Sequence, residues 1–140
     1  MVLQLSDEWK QAIDGAIADG APIVVACVDA SGQPLLSFRG STQVHGDDQL
    51  AIWVRNPDGG ILRHVQTNPH IALMYRNPAT RLSFQLHGRA TRVTDAALRQ
   101  LVYDRSPEVE RNADPEVKGV ALLVDLDRAI QRGAVVMSRD

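Results

Sequence analysis

The feature that most constrains this chain is a series of short apolar, β-branched runs, each closed by turn residues. Ile23-Val24-Val25-Ala26-Cys27-Val28 has the length and branching of a buried strand. Asp29-Ala30-Ser31-Gly32 is turn chemistry, and a second strand from Pro34 to about Arg39 completes a hairpin. After the turn Gly46-Asp47-Asp48, residues 50–55 form a strand whose alternation puts Ala51, Trp53 and Arg55 on one face and Ile52 and Val54 on the other. Residues 70–75 and 82–93 are two more strands, joined by Asn77-Pro78-Ala79-Thr80. In the longer one, Leu82, Phe84 and Leu86 point inward, and Gly88 marks a bulge at which inside and outside exchange. Residues 119–125 are a last clear strand, with 134–137 as a short further candidate.

Helices fit only between and around these strands. Ser6 caps one that runs to about Asp19, with Trp9, Ile13, Ala16 and Ile17 as its apolar face and Gly20 and Pro22 as its stop. A short helix over residues 61–66 follows the loop Asn56-Pro57-Asp58-Gly59-Gly60 and ends at Asn68-Pro69. Thr94 or Asp95 caps another, striped by Leu98, Leu101 and Val102, and residues 106–115 read as a polar loop with some helical turn. The sum is a mainly β chain of about six antiparallel strands with short flanking helices, the pattern of a barrel or sandwich.

At 140 residues, 44% apolar and 23% charged, the chain is sized for one globular domain spanning residues 1–140. Its net charge of −2 is spread along the sequence without a basic stripe, so nucleic acid is not expected as a partner. No apolar run approaches the roughly 20 residues of a membrane span. The first ten residues lack the layout of a signal peptide, so a cytoplasmic location is expected. A single cysteine, Cys27, excludes an intrachain disulfide and a cysteine-based zinc site. His45, His64, His70 and His87 are not paired at metal-ligand spacing. There is no nucleophile elbow, P-loop or dinucleotide fingerprint.

Two stretches carry a resemblance. The first, leading to Arg39, contains Gly32-x-Pro34-x-x-Ser37-x-Arg39-Gly40-Ser41. The second, residues 50–76, reads Leu-Ala-Ile-Trp-Val-Arg and then Leu-Arg-His-Val-Gln-Thr-Asn-Pro-His-Ile-Ala-Leu-Met-Tyr-Arg, with Gly88-Arg89-Ala90 following on a long strand. Together they resemble the pyridoxamine 5′-phosphate oxidase-like FMN-binding split barrels, over nearly the whole chain in order of elements. The resemblance implies a six-stranded Greek-key split β-barrel that works as a homodimer, with FMN at the subunit interface. It implies a flavin-dependent oxidoreductase acting on a small molecule.

By that resemblance Arg39 stands where the oxidases place a phosphate-binding arginine, followed by Gly40, Ser41 and Thr42. Arg55 and Asn56 stand where ring-edge and ribityl contacts fall. Gly59, Gly60, Ile61, Leu62 and Arg63 open the short helix that supplies further phosphate contacts. Guanidinium forks, hydroxyls and helix N-terminal N–H groups all suit a phosphate dianion, and the two glycines let backbone approach it. Trp53 or Tyr75 is a candidate wall of the ring pocket, with core or dimer interface as the other reading of Trp53. The sequence departs from the oxidases at Val44, where they carry lysine, and at Gly60-Ile61, where they carry Arg-Lys. Arg55 and Arg63 remain as replacement cations. The deazaflavin F420 is therefore an alternative cofactor, and a non-catalytic flavin, F420, haem or tetrapyrrole binder the alternative function. No side chain stands out as a general acid or base.

Overall fold

A computed structural model describes residues 3–139. Strands β1 (Val24–Val28) and β2 (Pro34–Phe38) form the expected hairpin; β3 (Gln43–Gly46) and β4 (Gln49–Val54) form a second. Helix α1 (Asp7–Asp14) precedes them, and α2 (Gly60–Thr67) carries the chain across to β5 (His70–Asn77). Strand β6 (Leu82–Arg92), helices α3 (Ala96–Arg105) and α4 (Glu108–Asn112), and strands β7 (Val120–Gln131) and β8 (Ala134–Ser138) complete the chain. All pairings are antiparallel, in the order β2-β1-β5-β6-β7-β4-β3, with β8 also on β7. The fold is the mainly β split barrel with flanking short helices, with eight strands among the described residues rather than six. Strand β3 escapes the sequence pattern because four residues with a histidine and a terminal glycine carry no apolar alternation.

Strand β7 holds the barrel together. One edge pairs with β6 from Leu122 to Ile130. The other pairs with β4 over residues 120–125 and then with β8 from Arg128 onward. The register slips between His87 and Gly88, as expected, but the extra residue is Asp127 on the partner strand. Buried positions therefore stay even along β6 (Phe84, Leu86, Gly88, Ala90) and switch along β7, from Leu122, Val124 and Leu126 to Ala129. The exchange of faces falls on β7, and not on β6 where the sequence pattern puts it. Gly88 permits close approach to the bulge; the residue opposite makes it.

Two helices add side chains to the barrel core. Helix α1 is capped by Ser6, whose hydroxyl accepts from the Trp9 N–H at 3.2 Å, and it ends at Gly15. It buries Trp9, Ala12 and Ile13. Trp9 stacks on Phe84 (4.0 Å, 8°), and Phe84 on Tyr75 (5.2 Å, 16°). Helix α2 closes the barrel with Ile61, Leu62 and Val65. Strand β4 is buried on both faces: Leu50, Ile52 and Val54 join the barrel core, while Ala51 and Trp53 join a second cluster under α3 with Val93, Val102 and Ala121. Val102 anchors α3 there, but Leu101 is on the exposed side.

Candidate functional site at the end of β4

Strand β4 stops at Val54 because Asn56 and Pro57 turn the chain. The Asn56 side-chain oxygen accepts from the Asp58 N–H at 3.0 Å, and its carbonyl from Gly59 at 2.9 Å. Beside it, the link from β2 to β3 is fastened to β4 by Ser41. The Ser41 hydroxyl donates to the Trp53 carbonyl and accepts from the Trp53 N–H, both at 2.8 Å. Thr42 tightens the same corner, its N–H (3.1 Å) and its hydroxyl (2.8 Å) both donating to the Arg39 carbonyl. This staple brings Arg39 to Arg55, although neither strand alone would do so.

The result is a pocket of about 350 Å³ lined by Arg39, Trp53, Arg55, Asn56 and Glu110. Arg39 Nε donates to the Ser37 hydroxyl at 3.0 Å. Burial pushes its guanidinium below the usual arginine range, an effect opposed by Cys27 and reinforced by the like charge of Arg55. It stays charged at physiological pH. Arg55 Nε lies 3.2 Å from Glu110 Oε2.

The expected site residues divide here. Arg39, Trp53, Arg55 and Asn56 come together. The hydroxyls of Ser41 and Thr42 do not face the pocket as donors, because both are spent on backbone carbonyls. Gly40 packs beneath Glu110 and Ile17: a Cβ there would lie 2.6 Å from Glu110 Oε1. Trp53 is 2% exposed. Its indole N–H donates to Asp114 at 3.0 Å, its ring meets Tyr103 edge-on at 5.1 Å, and the Arg99 guanidinium lies over it at 5.2 Å. It offers the pocket a margin, and no open face. Tyr75 lies in the core, 2% exposed.

Residues 59–63 stand apart from the pocket lining. Ile61 and Leu62 feed the core. Arg63 donates to the Asp58 carbonyl at 3.2 Å. A Cβ on Gly60 would meet His64 Nε2 at 3.3 Å and the Arg63 guanidinium at 3.5 Å. The start of α2 is thus backed by its own cationic side chain.

No signal in the sequence points to Glu110, in a segment that reads as a polar loop with some helical turn and that folds as α4. Only its three-dimensional partner, Arg55, marks it. A larger groove of about 690 Å³ lies on the outer face of β1, β5, β6 and β7, with Ala26, Ala72, His87 and Arg128 among its lining. There Arg128 Nε donates to His87 Nδ1 at 2.9 Å, and burial followed by the Arg128 charge lowers the imidazole pKa. Among the described residues no group of three His, Cys, Asp or Glu is placed to hold a metal, and no helix is long and apolar enough to cross a membrane.

Comparison with known proteins agrees with the fold. The pyridoxine/pyridoxamine 5′-phosphate oxidase of Yersinia enterocolitica is 36% identical over 74 residues, 52% of this chain and 33% of the relative. The chain therefore spans about a third of the length of the curated relatives it matches. Three solved structures share the fold. HupZ of Group A Streptococcus has a TM-score of 0.74 at 18% identity, covering 97% of this chain and 99% of that one. An FMN-binding protein from Syntrophomonas wolfei has 0.69 at 10%, covering 95% and 87%. An F420 reductase has 0.61 at 20%, covering 79% and 89%. The family model described as pyridoxamine 5′-phosphate oxidase matches residues 9–125, most of the chain, and the protein belongs to that family.

Proposed function

We propose that this protein binds FMN at the β4 corner and acts as a flavin-dependent oxidoreductase, working as a homodimer with the cofactor at the subunit boundary. The observation that carries the reading is the pair of guanidiniums, Arg39 and Arg55, on one pocket with Asn56. Two cations side by side, one of them partly desolvated, form a site that an anion stabilises. Arg39, Arg55 and Asn56 are the residues that would hold the phosphate, with the Ser41–Trp53 staple fixing their spacing. FMN, when bound, supplies the hydride and electron chemistry. This chain's residues bind and orient it and restrict water.

The dimer reading is supported by an unsheathed apolar face. On β2, Leu36 is 74% and Phe38 70% exposed, and Met74 on β5 is 40% exposed. The register aligns Phe38 with Val24 and Val24 with Met74, so Phe38, Val24 and Met74 form one row across three strands, with Leu36 two residues along β2 beside it. A contiguous apolar surface of this kind marks an interaction site. A two-fold dimer would present two equivalent pockets.

F420 is the second reading. An F420 reductase shares the fold, and the corner lacks the cations that Val44, Gly60 and Ile61 replace. The test is titration of the purified protein with FMN, riboflavin, F420 and haem, followed by flavin absorbance and fluorescence and by sizing. FMN binding by a dimer, with bleaching by a reduced nicotinamide, is the expected result. Preference for F420 selects the second reading, preference for haem the tetrapyrrole-binding alternative, and binding of none of the four sinks both flavin readings.

A further inference from the structure

We infer that Glu110 is a specificity-determining residue of the β4 pocket: a resident carboxylate on the paired arginines that an incoming ligand's phosphate must displace. The inference rests on the proposed phosphate role of Arg39 and Arg55 and adds a competitor to it.

Three observations carry it. Glu110 lines the same pocket as both arginines, and its carboxylate lies within ion-pair distance of Arg55 Nε. Its side chain is only 17% exposed, against 53% for Arg55, so the anion is the more withdrawn partner. The position beneath it is Gly40, where any Cβ would lie 2.6 Å from Glu110 Oε1 and 2.9 Å from Ile17 Cδ1. The chain thus leaves a side-chain-sized space at Gly40, and Glu110 occupies it.

The carboxylate also comes from an element able to give way. Helix α4 has five residues, no buried residue of its own and no side-chain N-cap. It is tethered from outside, by Tyr103 donating to the carbonyls of Arg111 (3.2 Å) and Asp114 (2.9 Å). The Glu110 side chain can leave Arg55 without breaking these bonds. An exposed-side ion pair of this kind is weak enough for a phosphate dianion with better fork geometry to replace it. An unphosphorylated ligand gains nothing from the exchange, so Glu110 sharpens discrimination for ligands that carry a phosphate.

The test compares Glu110→Gln and Gly40→Ala with the natural chain, titrating FMN, riboflavin and inorganic phosphate by calorimetry and flavin fluorescence. Gly40→Ala reaches the same end by a different route, since its methyl group evicts the carboxylate by contact with flexible side-chain ends. Both variants are expected to tighten FMN by about fivefold, the range of a partly exposed ion pair, and to tighten inorganic phosphate. Riboflavin affinity should move by less than about twofold. Unchanged or weaker FMN binding in Glu110→Gln, or an equal gain for riboflavin, overturns the inference. If no flavin binds any of the proteins but phosphate binding rises in Glu110→Gln, the resident carboxylate stands and the FMN reading falls. If phosphate binding does not rise either, both fall.

Discussion

Trp53 near the end of β4 and Arg55 just past it are two residues apart, and they sit in opposite electrostatic surroundings. At Trp53 every polar group is matched. The indole N–H has Asp114, the backbone has the Ser41 hydroxyl on both its donor and its acceptor, and Arg99 lies over the ring. At Arg55 a guanidinium more than half exposed has one carboxylate, and Arg39 adds a second cation beside it. A polar group that is fully matched contributes to stability and has little left to offer a ligand. The chain therefore passes from a structural segment to a binding segment within two residues.

The largest effect should come from the structural side. Trp53→Ala removes a fully buried aromatic and leaves Asp114 without its indole partner. Such truncations cost about 3–5 kcal/mol, and urea denaturation should show a loss of that size. A loss below about 1 kcal/mol would mean that the α3 cluster is not part of the cooperative fold.

Asp114→Asn should cost less and should depend on pH. Burial alone would raise this carboxyl. The N–H groups of Lys118 (2.9 Å) and Gly119 (3.0 Å), the Trp53 indole and the charge of Arg99 outweigh it, so the pKa lies below the usual carboxylate value. A folded-state pKa below the unfolded one gives stability that is present above the unfolded value, near 4, and lost as pH falls through the folded value. The natural chain should exceed Asp114→Asn by about 1.5–3 kcal/mol at neutral pH, the range for bonds to a charged group. That gap should shrink progressively below about pH 4. A gap independent of pH down to acid unfolding would show that the charge is not what the loop 114–119 uses.

On the binding side the readout changes from stability to affinity. Arg39→Ala should weaken FMN by roughly 10- to 100-fold, the worth of one charge-assisted contact, while shifting the denaturation midpoint little. Loss of stability with unchanged FMN affinity would move Arg39 to the structural side of the comparison.

The sequence made the structural half of this contrast more visible than the binding half, for a physical reason. Burial imposes a period, so the β1–β2 hairpin, the two-faced β4 and the Ser6 cap could be read from neighbouring residues. The matching of polar groups has no such period. Asp114 meets Trp53 across 61 residues of sequence, and Glu110 reaches Arg55 from a segment that reads as polar loop with some helical turn. Residues 59–63 show the converse. Their pattern suits a phosphate-binding helix start, yet Ile61 and Leu62 are core residues and the side chain of Arg63 bonds to the Asp58 carbonyl. Resemblance names Arg39 and Arg55, which line one pocket, but it carries no information on which flanking groups are already occupied.

Thr42 tests that last distinction at the smallest scale. Its place after Arg39 in sequence makes its hydroxyl an attractive phosphate donor, whereas the structure spends that hydroxyl on the Arg39 carbonyl at 2.8 Å. An intramolecular bond of this kind contributes about 0.5–1.5 kcal/mol. Thr42→Ala should therefore lower stability by that amount and leave FMN affinity within about twofold, since a change that small is below 0.5 kcal/mol. Thr42→Ser, which keeps the hydroxyl, should restore the stability. The opposite pattern, intact stability with FMN weakened tenfold or more, would mean that the hydroxyl turns toward the ligand on binding, and the boundary between the structural and binding segments would then run through the Arg39–Thr42 corner itself.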